Sequence, residues 1–163
     1  MDVAIFMGSD SDFDIAKPAM ALFKEFGVPF AVEVTSAHRT PDRTVQLVKD
    51  YEKQGVKIFI TLAGKAAHLG GVVAAHTVRP VIGIPVGGTA LAGMDALFST
   101  VQMPKGIPVA CMGIGKSGAA NAALLSIAIF SLSDESLHQK LLDYRRTMAA
   151  EVERASQGIK EIL

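Results

Sequence analysis

The 163-residue chain is poor in several features that would place it in a class at once. A single cysteine, Cys111, excludes a disulfide framework within the chain, and its setting in an apolar run suits a small buried hydrophobe. There is no tryptophan and only 6% of residues are aromatic, which leaves few rings on which bases or a flavin could stack. Sixteen Lys and Arg are balanced by 16 Asp and Glu, so no net positive charge marks a binder of nucleic acid or anionic membrane. No uninterrupted apolar run reaches the roughly 18 residues of a membrane span. The opening Met1-Asp2-Val3-Ala4 lacks the basic n-region of a secretory signal. Linkers, low-complexity tracts and internal repeats are absent too. With 50% hydrophobic and 20% charged residues, the expectation is one globular, cytoplasmic domain over residues 1–163, with no nucleic-acid or membrane partner.

Five β-branched apolar runs are present, at residues 3–7, 30–35, 57–62, 81–85 and 109–113. Helical patterns separate them at 12–26, 41–54, 66–77 and 90–101, and two more come after the last run, at 118–132 and 134–162. This alternation predicts an α/β fold with a parallel five-stranded sheet between helical layers. Thr40-Pro41-Asp42 reads as N-cap, N1 proline and acidic first turn, and Gly27 and Gly55 read as helix stops. Pro18 lies several residues into the first helix and is expected to kink or delay it. The long C-terminal helix has an amphipathic spacing through Leu137, Leu141, Leu142, Met148, Val152 and Ile159, suited to its own sheet or to a neighbouring subunit.

The loops at the carboxyl ends of the strands carry the chemistry. After the first strand comes Gly8-Ser9-Asp10-Ser11-Asp12, after the second Ser36-Ala37-His38-Arg39-Thr40-Pro41, and after the third Ala63-Gly64-Lys65-Ala66-Ala67-His68-Leu69. The fourth leads to Val86-Gly87-Gly88-Thr89 and the fifth to Gly113-Ile114-Gly115-Lys116-Ser117-Gly118. In the common flavodoxin-like order 2-1-3-4-5, the first three of these loops meet at the switch point, where ligands bind. Ser9 and Ser11 offer hydroxyls beside a helix start and Arg39 offers a bidentate clamp, a set that suits phosphate. Asp12 can cap its helix or accept ribose hydroxyls. Histidine is the side chain whose unperturbed pKa lies near neutrality, so His38 can move a proton, while His68 can serve the ligand or orient its loop. His76 and His138 read as structural or solvated.

Three look-alikes fail. Gly113 to Gly118 fits G-x-G-x-x-G, but no strand with an acidic end comes after it, and Ala110 occupies the first glycine position of a P-loop. Asp10, Asp12 and Asp14 begin like a calcium loop, yet Ile15 and Ala21 stand where Gly and Glu are needed. The histidines and Cys111 lack zinc spacing. No metal is expected. A receiver-like signalling domain would need an aspartate at the end of the third strand, where Leu62-Ala63-Gly64 stands. A noncatalytic module for FMN or a phosphorylated metabolite remains as a second class, disfavoured for flavin by the scarcity of aromatic residues.

Taken together, these motifs resemble the N5-carboxyaminoimidazole ribonucleotide mutase family of purine biosynthesis, in its bacterial class I form. The likeness runs nearly end to end. It is carried by Met7 to Asp12, Ser36 to Pro41, Ala66-Ala67-His68-Leu69, Gln102-Met103-Pro104-Lys105-Gly106-Ile107-Pro108-Val109 and Gly118-Ala119-Ala120-Asn121-Ala122-Ala123-Leu124-Leu125. The resemblance implies a flavodoxin-like homo-octamer acting on a ribonucleotide without cofactor or metal. The reaction implied moves a carboxylate from the exocyclic nitrogen of an aminoimidazole to ring carbon 4. His38 would transfer the proton, with Ser9, Asp12 and Arg39 on the ribose phosphate and Ser11 and Ser36 beside them. Ala63, Gly64, Lys65, Ala67, His68 and Leu69 would line the carboxylate site. Lys65 and Gly70 stand where the class I pattern has Gly and Pro. A basic residue near this point occurs in the related class II carboxylases, which use free carbon dioxide and form the alternative reading.

Overall fold

β1 (Val3–Met7) is buried at all five positions, as a strand covered on both faces must be. Its neighbours are β2 (Phe30–Val34) on one side and β3 (Ile58–Gly64) on the other, and beyond β3 lie β4 (Val81–Val86) and β5 (Ala110–Cys111). All pairings are parallel, and the sheet order is β2-β1-β3-β4-β5, as expected. This computed structural model describes every residue except Thr89 and Leu163. Thr89, named above in the fourth loop, therefore lies outside the described residues. The register sets Met7 level with Val34 and Leu62, and Gly64 level with Val86, so four loops leave the same edge of the sheet.

Apolar side chains fix that edge in place. On one face Ala4 and Phe6 pack with Phe59, with Val48 and Tyr51 of α2 (Pro41–Lys53), and with Leu69 and Val73 of α3 (Leu69–Ala74). The Phe6 ring centroid lies 5.6 Å from Phe59, edge-on, and 5.8 Å from Tyr51. Burying one such ring stabilises by about 1.5–3 kcal/mol. The alternate residues Val3, Ile5 and Met7 are buried as well. α1 (Phe13–Phe26) buries Ala16, Ala19, Leu22, Phe23 and Phe26, and its Phe23 ring lies 5.7 Å from Phe30 of β2.

Several boundaries differ from the sequence reading. Pro18 sits inside α1 without ending it; the carbonyl it deprives of a partner belongs to exposed Asp14, which water can reach. α3 begins at Leu69 rather than 66, because Lys65 takes a left-handed φ of 56° and the residues after it turn before the helix starts. α4 (Met94–Val101) begins four residues later than expected, after left-handed Ala92 (φ 52°) and Gly93 (φ 86°). It then lies close on β4: a Cβ at Gly83 would stand 2.5 Å from Thr100 Cγ2. β5 keeps only two residues, an edge strand entered from Pro108, which has no N–H to donate. Thr40 precedes α2 but makes no side-chain cap bond. Cys111 is half-buried, and burial pushes its thiol pKa up, which agrees with an unreactive residue.

The chain divides into two compact units, Met1–Leu125 and Ser126–Leu163, with α5 (Lys116–Ser131) crossing the division. In the second unit, α6 (Glu135–Lys160) starts where Asp134 accepts the Leu137 N–H at 3.0 Å. None of the α6 residues is buried, and Leu142, Met148, Val152 and Ile159 are exposed. Among the described residues no helix is long and apolar enough to cross a membrane.

Candidate active site

The first loop leaves β1 at Gly8, whose N–H donates to the Leu62 carbonyl at 2.9 Å. Ser9 caps a 3-10 turn over Asp10–Asp12: its hydroxyl accepts the Ser11 N–H, and Asp12 returns the bond by accepting the Ser9 N–H at 3.2 Å. This reciprocal box holds the loop in one shape. The Ser11 hydroxyl lies 3.0 Å from the Ser9 hydroxyl, so the two expected phosphate donors are adjacent. Asp12 is 6% exposed, and burial raises its pKa above 3.8, opposed by the bonds from Ser9 and Ser11. It serves the loop before it; at the start of α1 it makes no side-chain cap bond.

The second loop is tied by hydroxyls. Ser36 Oγ accepts the N–H groups of His38 at 3.4 Å and Arg39 at 3.1 Å. The Thr40 hydroxyl donates to the Ser36 carbonyl at 3.2 Å and accepts the Ser36 N–H at 3.0 Å. Beneath them, buried Thr35 and Thr44 place their hydroxyl oxygens 2.7 Å apart. The Arg39 guanidinium reaches back to donate to the Gly8 carbonyl at 3.0 Å, which joins the second loop to the first. Thr35, Thr40 and Thr44 had no assigned site role from sequence, although the hydroxyl-rich Thr35-Ser36 and Thr40 flanking the His-Arg pair were the available signal.

The third loop brings His68 to His38. His38 Nε2 lies 2.9 Å from His68 Nδ1, and the rings meet edge to face with centroids 5.0 Å apart. The loop turns through Lys65, and the His68 N–H closes it on the Ala66 carbonyl at 2.8 Å. Lys65 is exposed and makes no ion pair or hydrogen bond with any described residue.

These loops enclose a cleft of about 760 Å³. Ser9, Ser11, Asp12, Ser36, His38, Arg39, Ala63, Gly64, Lys65, His68 and Leu69 all line it. Ala67 does not: it is buried at 2% exposure, and Ala66 takes the lining position instead. The fourth loop contributes Val86, Gly87 and Gly88, where three loops were expected. His76 and His138 are exposed and lie outside the cleft.

Ser9, Ser11, Ser36 and Arg39 line the same cleft as a hydrogen-bonded histidine pair, and comparison with known proteins gives this site a lineage. The family profile described as AIR carboxylase matches residues 2–151. The chain belongs to the AIR carboxylase family. An N5-carboxyaminoimidazole ribonucleotide mutase of Escherichia coli is 50% identical over 150 residues, covering 92% of this chain and 89% of that protein. The mutase of Methanocaldococcus jannaschii is 48% identical and covers 98% of both chains. Among solved structures, Treponema denticola PurE superposes with a TM-score of 0.86 at 33% identity, covering 95% of this chain and 96% of that one. The cleft of this AIR carboxylase family member thus sits at the carboxyl edge of a fold shared along nearly its full length.

Proposed function

We propose that the chain is an N5-carboxyaminoimidazole ribonucleotide mutase, an isomerase of purine biosynthesis. The carrying observation is the junction of His38 and Arg39: neighbours on one hydroxyl-tied loop, with Arg39 bonded to the first loop and His38 to the third. A ribonucleotide has a phosphate at one end and a reacting base at the other, and this junction offers an anion clamp and a proton carrier in the same order. Ser9, Ser11, Ser36 and Arg39 hold the phosphate, and Asp12 accepts ribose hydroxyls. The third loop, from Ala63 to Leu69, surrounds the migrating carboxylate.

The reaction is built from these parts. Protonated His38 delivers a proton to the exocyclic nitrogen as its bond to the carboxyl carbon breaks. Carbon dioxide remains in the cleft and bonds to carbon 4. Neutral His38 then removes the carbon-4 proton and restores aromaticity. Retaining the gas replaces a bimolecular encounter by a positioned one, an advantage of up to roughly 7–11 kcal/mol. A loop of small residues suits an apolar gas and its carboxylate precursor.

The reading takes residues 1–163 as one mutase domain acting in the cytoplasm as a homo-octamer. The exposed apolar positions of α6 support subunit contacts, and a solution mass near eight times 17.2 kDa is expected by light scattering. The test of function is conversion of the N5-carboxylated ribonucleotide to the 4-carboxylated one by purified protein, with His38→Asn as control. The variant keeps ligand affinity and loses about 10²- to 10⁴-fold in turnover. Near-normal turnover in it refutes the assignment.

A further inference from the structure

The bond between His38 and His68 joins loops 30 residues apart in sequence, and it is the side-chain hydrogen bond that each ring makes among the described residues. Among the described residues no carboxylate bonds to either imidazole. The charged groups that share the cleft with them are Asp12 from the 3-10 turn, Arg39 from the second loop and Lys65 from the third. Asp12 is engaged by Ser9 and Ser11, and Arg39 by Gly8 and Ser36.

A nitrogen-to-nitrogen bond at 2.9 Å holds one proton between its ends. A neutral pair therefore carries that bridging proton and one more, on either His38 Nδ1 or His68 Nε2. A singly protonated pair carries protons on both of these outward nitrogens. A further proton would set two N–H groups against each other across the bond. The shared bond thus ties the proton positions on one ring to those on the other.

We propose that His38 and His68 form a single proton carrier, in which His68 positions His38 and shares the one proton that the mutase cycle releases and recovers. The proposal rests on the mutase reading. The unit begins as a cation. When the bond between the exocyclic nitrogen and the carboxyl carbon breaks, its electron pair stays on nitrogen and takes a proton from an outward ring nitrogen. Carbon dioxide is released into the cleft and the unit becomes neutral. A ring electron pair then bonds carbon 4 to carbon dioxide, and the carbon-4 proton returns to the bare outward nitrogen. One proton leaves and one returns, with no oxidant, reductant or co-reactant. The bridging proton lets the positive charge of the cation rest on either ring, and the outward nitrogen that donates is the one left bare to accept the returning proton. The role given to His68 differs from lining the carboxylate site, which the family resemblance implied.

The test is a histidine NMR titration of the full chain, run on wild type, His68→Asn and His68→Phe, with pH-dependent turnover of the same samples. Asparagine keeps a hydrogen-bond donor near His38 but cannot carry a proton; phenylalanine keeps the ring and removes the bond. In wild type the two rings titrate together in coupled steps. In both variants His38 titrates alone in one step, kcat falls by about 10²-fold with KM unchanged, and the pH profile of kcat moves to track that step. A His38 titration unchanged by either substitution, or full rescue of turnover by His68→Asn, overturns the proposal. If the wild type fails to isomerise the ribonucleotide, the mutase reading falls. The titration then still decides the pairing, because coupled steps support it and independent steps overturn it.

Discussion

Residues 36–40 and residues 64–68 meet at the contact between the two histidines, yet they are built by opposite means. Residues 36–40 are crossed by hydroxyl bonds from Ser36 and Thr40 over the buried Thr35–Thr44 pair. Residues 64–68 are a run of mostly small residues closed by the bond from His68 N–H to the Ala66 carbonyl, with Lys65 in a left-handed conformation. The difference matches what each would hold in the proposed reaction. A phosphate clamp gains from a fixed guanidinium, since orientation set in advance is not lost on binding. A site for carbon dioxide needs close-fitting walls and few polar groups. Both departures from the class I pattern fall in or beside the loosely tied loop. Lys65 is accommodated because it is exposed. Gly70 is accommodated because a Cβ there would stand 2.9 Å from Thr61 Oγ1, in a chain whose Thr61 and Val109 fill that space.

The contrast can be broken from either side. The largest effect is expected at the tied loop's charge. Arg39→Lys keeps the cation but loses the planar fork, and KM for the ribonucleotide should rise about 10- to 100-fold, equivalent to roughly 1.5–3 kcal/mol. Steady-state kinetics within about twofold of wild type would remove Arg39 from the clamp. Next comes the hydroxyl layer. Thr44→Val leaves the buried Thr35 hydroxyl short of a partner and should cost about 1–3 kcal/mol in urea unfolding.

Asp12→Asn probes the first loop through pH. Burial raises the folded pKa of Asp12 above 3.8, so the fold favours the protonated acid. As pH rises through 3.8 the unfolded chain ionises first, and the folded protein loses relative stability until its own higher pKa is passed. The variant lacks this loss. Its melting temperature should gain on wild type between acid and neutral pH, and a difference independent of pH would contradict the burial argument.

The smallest effect belongs to the loosely tied loop. Lys65→Gly relieves a left-handed φ worth about 1–2 kcal/mol but adds roughly 0.5–1 kcal/mol of chain entropy. The net stabilisation should lie between about 0 and 1.5 kcal/mol by chemical denaturation, and a clear destabilisation would mean that the lysine side chain holds the loop.

Much of this was legible before the structure. β-branched runs between helical periods led to the parallel sheet, because strands buried on both faces have little freedom in composition, while its order came from the common flavodoxin-like arrangement. That order placed the chemistry-bearing loops together, and nearly all the named residues line one cleft. The early turns of α3 and α4 were not legible, since lysine at position 65 and alanine at position 92 give no sign of left-handed backbone. β5 was overestimated because its composition is strand-like while its pairing is limited at a sheet edge. The contact of His68 with His38 needed the coordinates: it depends on how far two loops lean toward each other, which spacing in sequence does not encode. The same holds for the exchange of Ala67 for Ala66 at the cleft wall, a matter of one turn's direction.

The central claim is that the carboxylate which leaves nitrogen is the one that arrives at carbon 4. The most direct measurement supplies substrate with carbon-13 in its carboxylate, in buffer containing excess unlabelled bicarbonate and carbonic anhydrase, and tracks the product over a single turnover by NMR. The account predicts that most product keeps the label. Product carrying the isotope composition of the bicarbonate pool would contradict it and would point to a carboxylase using free carbon dioxide.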